Sequence, residues 1–230
     1  MTIFLTLVLL GIGLWVTLRV LAARKKKAER VAYEMDSATA LVGAPEPLVR
    51  AMAVGAQQLT QDLVAGLSAT IRAPQTSATH RAMAAQVLSL HWAVTGQHAY
   101  VEQMLGSVLP HMVPDGPVAR RNIAECCGTY AMSVTELGGA QRSAEALSLA
   151  RRGIELDRHA LICYVAKVDA LSATAKAMAA VGQNPKTQIL EVYQTASWVK
   201  AHASELSCGP VDMDSWTRHE TWALQALAQL

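Results

Sequence analysis

The sequence predicts an all-α fold, and its composition and its turn residues support this class. Hydrophobic residues make up 52% of the 230 residues but aromatic residues only 5%, with Phe4 the sole phenylalanine. The apolar content is therefore mostly alanine, leucine and valine, whereas β-rich domains need many β-branched and aromatic residues. Long stretches without glycine or proline favour helices as well. The chain length suits one domain plus an anchoring segment.

The first predicted element is a membrane anchor at residues 1–30. Residues 3–23 are apolar apart from Arg19, and this length matches the ~20 residues that a helix needs to cross a bilayer. No basic residue precedes the run, as a cleaved signal peptide would require, and a basic segment follows it at once. The positive-inside rule then predicts a single-pass inner-membrane protein, with its N-terminus outside and its soluble domain in the cytoplasm. The basic residues of this flank, which set the topology or alternatively attract anionic lipid, are Arg19, Arg24, Lys25, Lys26, Lys27 and Arg30.

The net charge of the remaining chain argues against a nucleic-acid partner. Six of the 20 lysines and arginines lie in residues 1–30, where Glu29 is the one acidic residue. The other 200 residues therefore carry a net negative charge and have no basic stripe of the kind that contacts phosphates.

Residues 31–78 are predicted to hold a linker helix and a first helical pair. The linker continues the anchor helix and breaks near residues 43–45, where glycine and proline occur. The pair is placed at 46–56 and 58–72, and a loop at 73–77 ends it.

Residues 79–206 are predicted to form three helical hairpins. Apolar residues recur there at steps of three and four, the period of an amphipathic helix. Glycine turns at Gly96, Gly138 and Gly182 lie 42 and 44 residues apart, each between two helices of similar length. Such a period is typical of an α-solenoid, in which each hairpin buries its apolar stripe against its neighbours.

One segment of these hairpins resembles the second helix of a tetratricopeptide repeat. Residues 146–157 read ALSLARRGIELD, with small residues at Ala146 and Gly153 and an Ile-Glu-Leu-Asp ending. Arg158 stands where the family usually has proline, and the units are longer than its ~34 residues. The resemblance implies a stack of helical hairpins with a concave groove that binds peptides or protein segments.

The tail, residues 207–230, is predicted to form a capping helix that begins at Asp214 or Ser215 and covers the end of the stack or docks a partner. Aromatic side chains dominate interface energetics, so those that remain exposed are the expected partner contacts. These candidates are Tyr100, Tyr130, Tyr164, Tyr193, Trp216 and Trp222.

Residue patterns that would indicate catalysis or metal binding are weak. The four cysteines form no CxxC pair, although Cys126 or Cys127 beside a histidine would be a conceivable nucleophile. Four histidines between residues 80 and 111 and an acidic group near His219 (Asp212, Asp214 and Glu220) are explained more simply as surface, capping or half-buried residues. Phosphate-binding, HExxH and GxSxG motifs are absent from the sequence. We therefore expect no enzyme, cofactor or metal site.

The predicted function is that of a membrane-anchored helical-repeat adaptor or scaffold, which binds another protein at the cytoplasmic membrane surface. Two alternatives stay open. One is an accessory subunit of a larger membrane complex, with its span packed against partner helices. The other is a helical enzyme or a cofactor-carrying protein.

Overall fold

A computed structural model describes residue 36, residues 38–206 and residues 208–230. The chain divides into two compact units, residues 1–42 and residues 43–230. In the first unit, Asp36 and residues 38–40 are helical and a turn follows. The second unit consists of helices and their connections, and the described residues contain no β-strand. The all-helical class predicted from composition is confirmed.

The predicted membrane span requires a correction. No helix in the described part of the chain combines the length and the apolar character needed to cross a bilayer. This finding contradicts the transmembrane helix in the predicted fold class, and with it the single-pass topology and the inner-membrane localisation. The segment at 3–23 and its basic flank, on which those predictions depend, lie outside the described residues.

Nine α-helices follow one another among the described residues of the second unit. They are α1 (Glu46–Val54), α2 (Gln61–Arg72), α3 (Ala78–Val94), α4 (His98–Val108), α5 (Pro117–Gly138), α6 (Ser143–Leu156), α7 (Leu161–Ala180), α8 (Lys186–Ala201) and α9 (Pro210–Ala228). Short 3₁₀ turns lie at Ala56–Gln58, Leu109–His111 and Gly139–Arg142.

Local sequence explains where these helices begin and end. Ser77 caps α3, since its hydroxyl accepts a hydrogen bond from the backbone N–H of His80 at 3.1 Å. Gly96 and Gly182 end α3 and α7 with positive φ angles of 74° and 73°, which side chains disfavour. The last helix begins at Pro210, before the predicted caps Asp214 and Ser215. Asp212 instead accepts a hydrogen bond from the Gly209 N–H at 2.7 Å, so the predicted start of this helix is wrong.

The helices pack against their neighbours along the chain, with additional contacts between alternate helices. Each helix from α1 to α8 touches the next one along the chain. In addition, α3 packs against α5, and α5 packs against α7. Helices α4 and α6 therefore connect successive members of the row α3, α5 and α7. The tetratricopeptide-like stacking itself stays a prediction.

Two of the core clusters among the described residues differ in their side chains. Where α5, α6 and α7 meet, the cluster is built largely of alanines, which allow close helix approach: Ala131, Val134, Ala146, Ala150, Ala166 and Ala170. Between α7, α8 and α9 larger side chains fill the interior: Tyr164, Val168, Leu171, Ala175, Ile189, Val192, Ala196, Val199, Leu206, Trp216 and Ala223.

Candidate functional site

Helix α7 carries chemically different side chains on its two sides. Lys167 and Lys176 are nine residues apart, which places them about half a turn from each other on a helix with ~3.6 residues per turn. Each lysine lines a separate depression, one shared with α5 and α9 and the other with α8. These two depressions are the candidate binding sites of the second unit.

The first depression, which we call the polar groove, crosses α5, α7 and α9. Its volume is about 380 Å³, which is enough for one or two amino-acid side chains. Half-buried Trp222 of α9 contributes its apolar surface. The residues that line the groove are Thr135, Glu136, Asp169, Ser172, Ala173, Lys176, His219 and Trp222.

The carboxylate of Asp169 is the unusual group in the polar groove. Burial raises the pKa of Asp169 above its usual range, the nearby charge of Glu136 raises it further, and Lys176 opposes this only in part. No described residue, Lys176 included, donates a hydrogen bond to this carboxylate or forms an ion pair with it. Asp169 is thus a partly buried acid without a partner.

Two further groups of the groove are polar but not charged near neutral pH. The Ser172 Oγ is inaccessible to solvent and has no hydrogen-bond partner among the described residues. Burial lowers the pKa of His219, and the positive charges of Arg218 and Lys176 lower it further, so this imidazole is neutral at pH 7. The groove therefore presents a net negative charge from Glu136 and Asp169 against Lys176.

The second depression, which we call the aromatic pocket, lies between α7 and α8 and has a volume of about 440 Å³. Two stacked rings form part of its wall, since Trp198 lies on Tyr164 with a centroid distance of 4.9 Å. His202 lies against Trp198 at 4.3 Å but does not line the pocket. The residues that line it are Tyr164, Lys167, Thr187, Leu190, Glu191, Gln194, Thr195 and Trp198.

The charges of the aromatic pocket satisfy one another. Glu191 accepts from Lys167 at 2.9 Å and from Arg151 at 3.1 Å. Burial would raise the pKa of Glu191, but the hydrogen bonds from these two cations outweigh burial and hold the pKa below its usual range. The pocket thus has paired charges, unlike the polar groove.

The six aromatic residues predicted as partner contacts lie in different environments. Trp222 lines the polar groove and Tyr164 forms the buried wall of the aromatic pocket. Tyr100 is 55% exposed and lies 5.6 Å from Trp92, far along the chain from both depressions. Tyr130 and Tyr193 are partly buried, and Trp216 is buried in the core.

The cysteines are poorly suited to nucleophilic chemistry. Cys126, Cys127 and Cys163 are buried, and burial raises the pKa of all three, that of Cys127 to about 11. At pH 7 these thiols are protonated, whereas a nucleophile or metal ligand must be a thiolate. The described residues bring no group of three His, Cys, Asp or Glu side chains together in a way that would hold a metal ion.

The histidines and charged residues noted in the sequence are mostly bound elsewhere. His91 contacts the Ala56 carbonyl and His98 contacts the Ser133 hydroxyl, so they do not converge. Glu220 accepts from Lys200 and Ser197. Of the acidic group predicted near the C-terminus, His219 is the member that reaches the polar groove.

Asp169 and Ser172 are the groove residues without hydrogen-bond partners, and neither was among the predicted site residues. One signal in the sequence would have pointed to them. Helix α7 reads LICYVAKVDALSATAKAMAA, so that Asp169 is a lone acid in a helix that is apolar over most of its circumference. A charge in such a helix is expected at a contact or a functional site.

We expect Asp169→Asn to raise the free energy of unfolding at pH 7 by about 0.5–1 kcal/mol. The neutral amide replaces an unpaired charge, so folding no longer has to remove that charge from water. The folded state holds the Asp169 proton to higher pH than the unfolded state does. The contribution of Asp169 to the free energy of unfolding of the wild type therefore falls as the pH rises from the ordinary aspartate pKa through the raised pKa of the folded state. The advantage of the variant should be full at pH 7 and vanish at pH 3, as measured by urea denaturation.

Asp157→Asn is the matched contrast for this measurement. Asp157 accepts from Arg121 at 3.3 Å and from the His159 N–H at 2.8 Å, so its loss should lower stability at pH 7. Equal effects of the two substitutions would contradict the assignment of Asp169 as an unpaired acid.

The chain matches no protein-family model, and no curated protein or solved structure proved significantly similar to it.

Proposed function

We propose that the second unit, residues 43–230, is a protein-binding helical domain whose polar groove receives a segment of a partner protein. The observation that carries this proposal is the groove itself, which is lined by residues of α5, α7 and α9 and holds a partly buried acid without a partner. A folded domain stabilises itself by pairing such groups. A partner that supplies a hydrogen-bond donor would satisfy the Asp169 carboxylate.

The packing of the helices supports the same proposal. Helix α5 packs against both α3 and α7, as the outgoing helices of stacked hairpins do with their neighbours. In α6, Ala146 is fully buried and Gly153 is also buried, which suits the small positions of the repeat helix that this segment resembles. Stacked hairpins bind peptides and protein segments along such rows, so the resemblance and the position of the groove favour the same role.

Site-directed photocrosslinking in cells tests this function. A benzoylphenylalanine at Glu136 or at Lys176, both exposed at the rim of the groove, is expected to crosslink a defined partner protein. Exposed positions on other helices, Asp62 of α2 and Glu155 of α6, are the matched controls. Mass spectrometry of the adducts identifies the partner and the crosslinked peptide.

The proposal requires that the same partner peptide is recovered from both groove positions and from neither control. Adducts of equal yield from all four positions would indicate random collision. The absence of adducts from Glu136 and Lys176, with a partner captured from Asp62 or Glu155, would move the binding surface to another part of the domain.

A further inference from the structure

Asp169 and Ser172 lie on the same side of α7. They are three residues apart, which makes them neighbours on the surface of a helix. Both line the polar groove, and neither has a hydrogen-bond partner among the described residues. The Ser172 Oγ is inaccessible to solvent, whereas Asp169 is only partly buried, so the carboxylate is the acceptor that an incoming donor group reaches.

Three other partly buried acids of the domain have cationic partners. Asp157 is paired with Arg121, Glu191 with Lys167 and Arg151, and Glu220 with Lys200. Lys176 attracts Asp169 but makes no hydrogen bond or ion pair with it. The groove thus lacks the cation that the comparable acids of this fold possess.

The charge balance of the groove calls for one positive charge. Among the residues that line the groove, Glu136 and Asp169 contribute two negative charges and Lys176 contributes one positive charge, while His219 is neutral at pH 7. The charge of Arg218 acts on His219, but Arg218 does not line the groove. A single cation would neutralise the groove, whereas an anion would increase the repulsion that Glu136 already exerts on Asp169.

The shape of the groove suits a cation on a long apolar stem. Trp222 and Ala173 line it beside the polar groups. The stem of a lysine or arginine packs on apolar surface while its head remains polar, and either head gains from the face of a tryptophan. The volume of about 380 Å³ accommodates one such side chain and part of its neighbour.

We propose that the polar groove binds a lysine or arginine side chain of a partner protein, with its cationic head on the Asp169 carboxylate and its stem along Trp222. This inference rests on the proposed function and adds the chemistry of the partner. Arginine donates two parallel hydrogen bonds to a carboxylate through its planar fork, so it is the preferred residue.

Peptide selection against the full-length protein tests the proposal. The probes are four dodecapeptide libraries whose central residue is fixed as arginine, lysine, glutamine or glutamate, with the other positions drawn from alanine, leucine, serine and glutamine. The arginine library, and then the lysine library, should yield binders that crosslink at the groove. In the best binder, replacing the central cation by glutamine should weaken the Kd at least tenfold by fluorescence anisotropy.

Variants of the protein assign the contact to the proposed atoms. We expect Asp169→Asn to weaken the best arginine peptide about tenfold or more. Ser172→Ala, which removes a hydroxyl that solvent does not reach, and Asp62→Asn on the α2 surface should both leave the Kd unchanged. Replacing the arginine by glutamine should cost little further in the Asp169→Asn protein, because the paired charge is already absent. The pKa of the Asp169 carboxyl, followed by NMR, should fall when the arginine peptide binds.

The outcomes separate this inference from the proposed function. A partner that crosslinks to the groove, together with libraries that show no preference for a central cation, would overturn the cation assignment and leave the binding function standing. Unchanged affinity in Asp169→Asn would overturn it too. Self-association that disappears in Asp169→Asn would identify a second copy of the chain as the occupant in place of a partner.

Discussion

Replacing Trp216 by alanine is expected to lower the free energy of unfolding by about 3–5 kcal/mol. Trp216 is 3% exposed and belongs to the large-residue core shared by α7, α8 and α9. Removal of the indole leaves a cavity that Tyr164 and Val199, which are fixed in their own helices, cannot fill completely. Urea denaturation followed by far-ultraviolet circular dichroism measures the loss without relying on tryptophan fluorescence.

Two other aromatic positions provide the controls for this prediction. Tyr100→Ala should change stability by less than about 0.5 kcal/mol, since Tyr100 is exposed and surface substitutions are generally mild. Trp222→Ala should cost an intermediate amount, because Trp222 is half-buried at the groove. If Trp216→Ala were as stable as the wild type and had lost its partner, Trp216 would be an interface residue and its place in the core would be wrong.

The contrast between Trp216 and Trp222 shows what periodicity predicts and what it leaves open. A spacing of seven residues groups Trp216 with Ala223 on one face of α9, and both are buried. Trp222 lies on another face, where it meets the groove. The sequence therefore separates the two tryptophans but does not identify the face that packs inward, which depends on the position of α9 against α7 and α8.

The helices were predictable because their signals are local. Alanine-rich apolar stripes, and turns at Gly96 and Gly182, act within a few residues of where they occur. The start of α9 was missed because three nearby side chains, those of Asp212, Asp214 and Ser215, are all of types that cap helices. The helix begins at Pro210, and Asp212 is the one that accepts the hydrogen bond from the Gly209 N–H.

The candidate site was not predictable in the same way because it is assembled across the fold. Glu136, Asp169 and His219 come from three helices and are separated by 33 and 50 residues. In the sequence Glu136 and His219 each resemble a solvated surface residue. Asp169 is a lone acid in an apolar helix, but the sequence does not show which side chains surround it. The missing partner of Asp169 is apparent only after every neighbouring donor has been located, so it is a property of the tertiary structure.

Substitution of Gly153 is the second change expected to have a large effect on stability. The reason is that α6 approaches α5 and α7 closely at this residue. A Cβ at this position would overlap the sulfur of Cys163 and would lie 2.9 Å from the carbonyl oxygen of Ala124. The same sulfur donates a hydrogen bond to that carbonyl at 3.1 Å. The two contacts leave no direction in which one methyl group can be accommodated without moving a helix.

Gly153→Ala is therefore expected to lower the free energy of unfolding by about 1–3 kcal/mol, measured by urea denaturation. Gly106→Ala in α4 is the matched control, since its Cβ would meet only the Tyr130 hydroxyl at 3.2 Å and helix propensity favours alanine by up to ~1 kcal/mol. Adding Cys163→Ala to the Gly153→Ala variant should recover part of the loss, because the sulfur is removed but the Ala124 carbonyl remains. A Gly153→Ala protein more stable than the wild type would mean that helix propensity outweighs crowding, and that α6 does not pack this tightly against its neighbours.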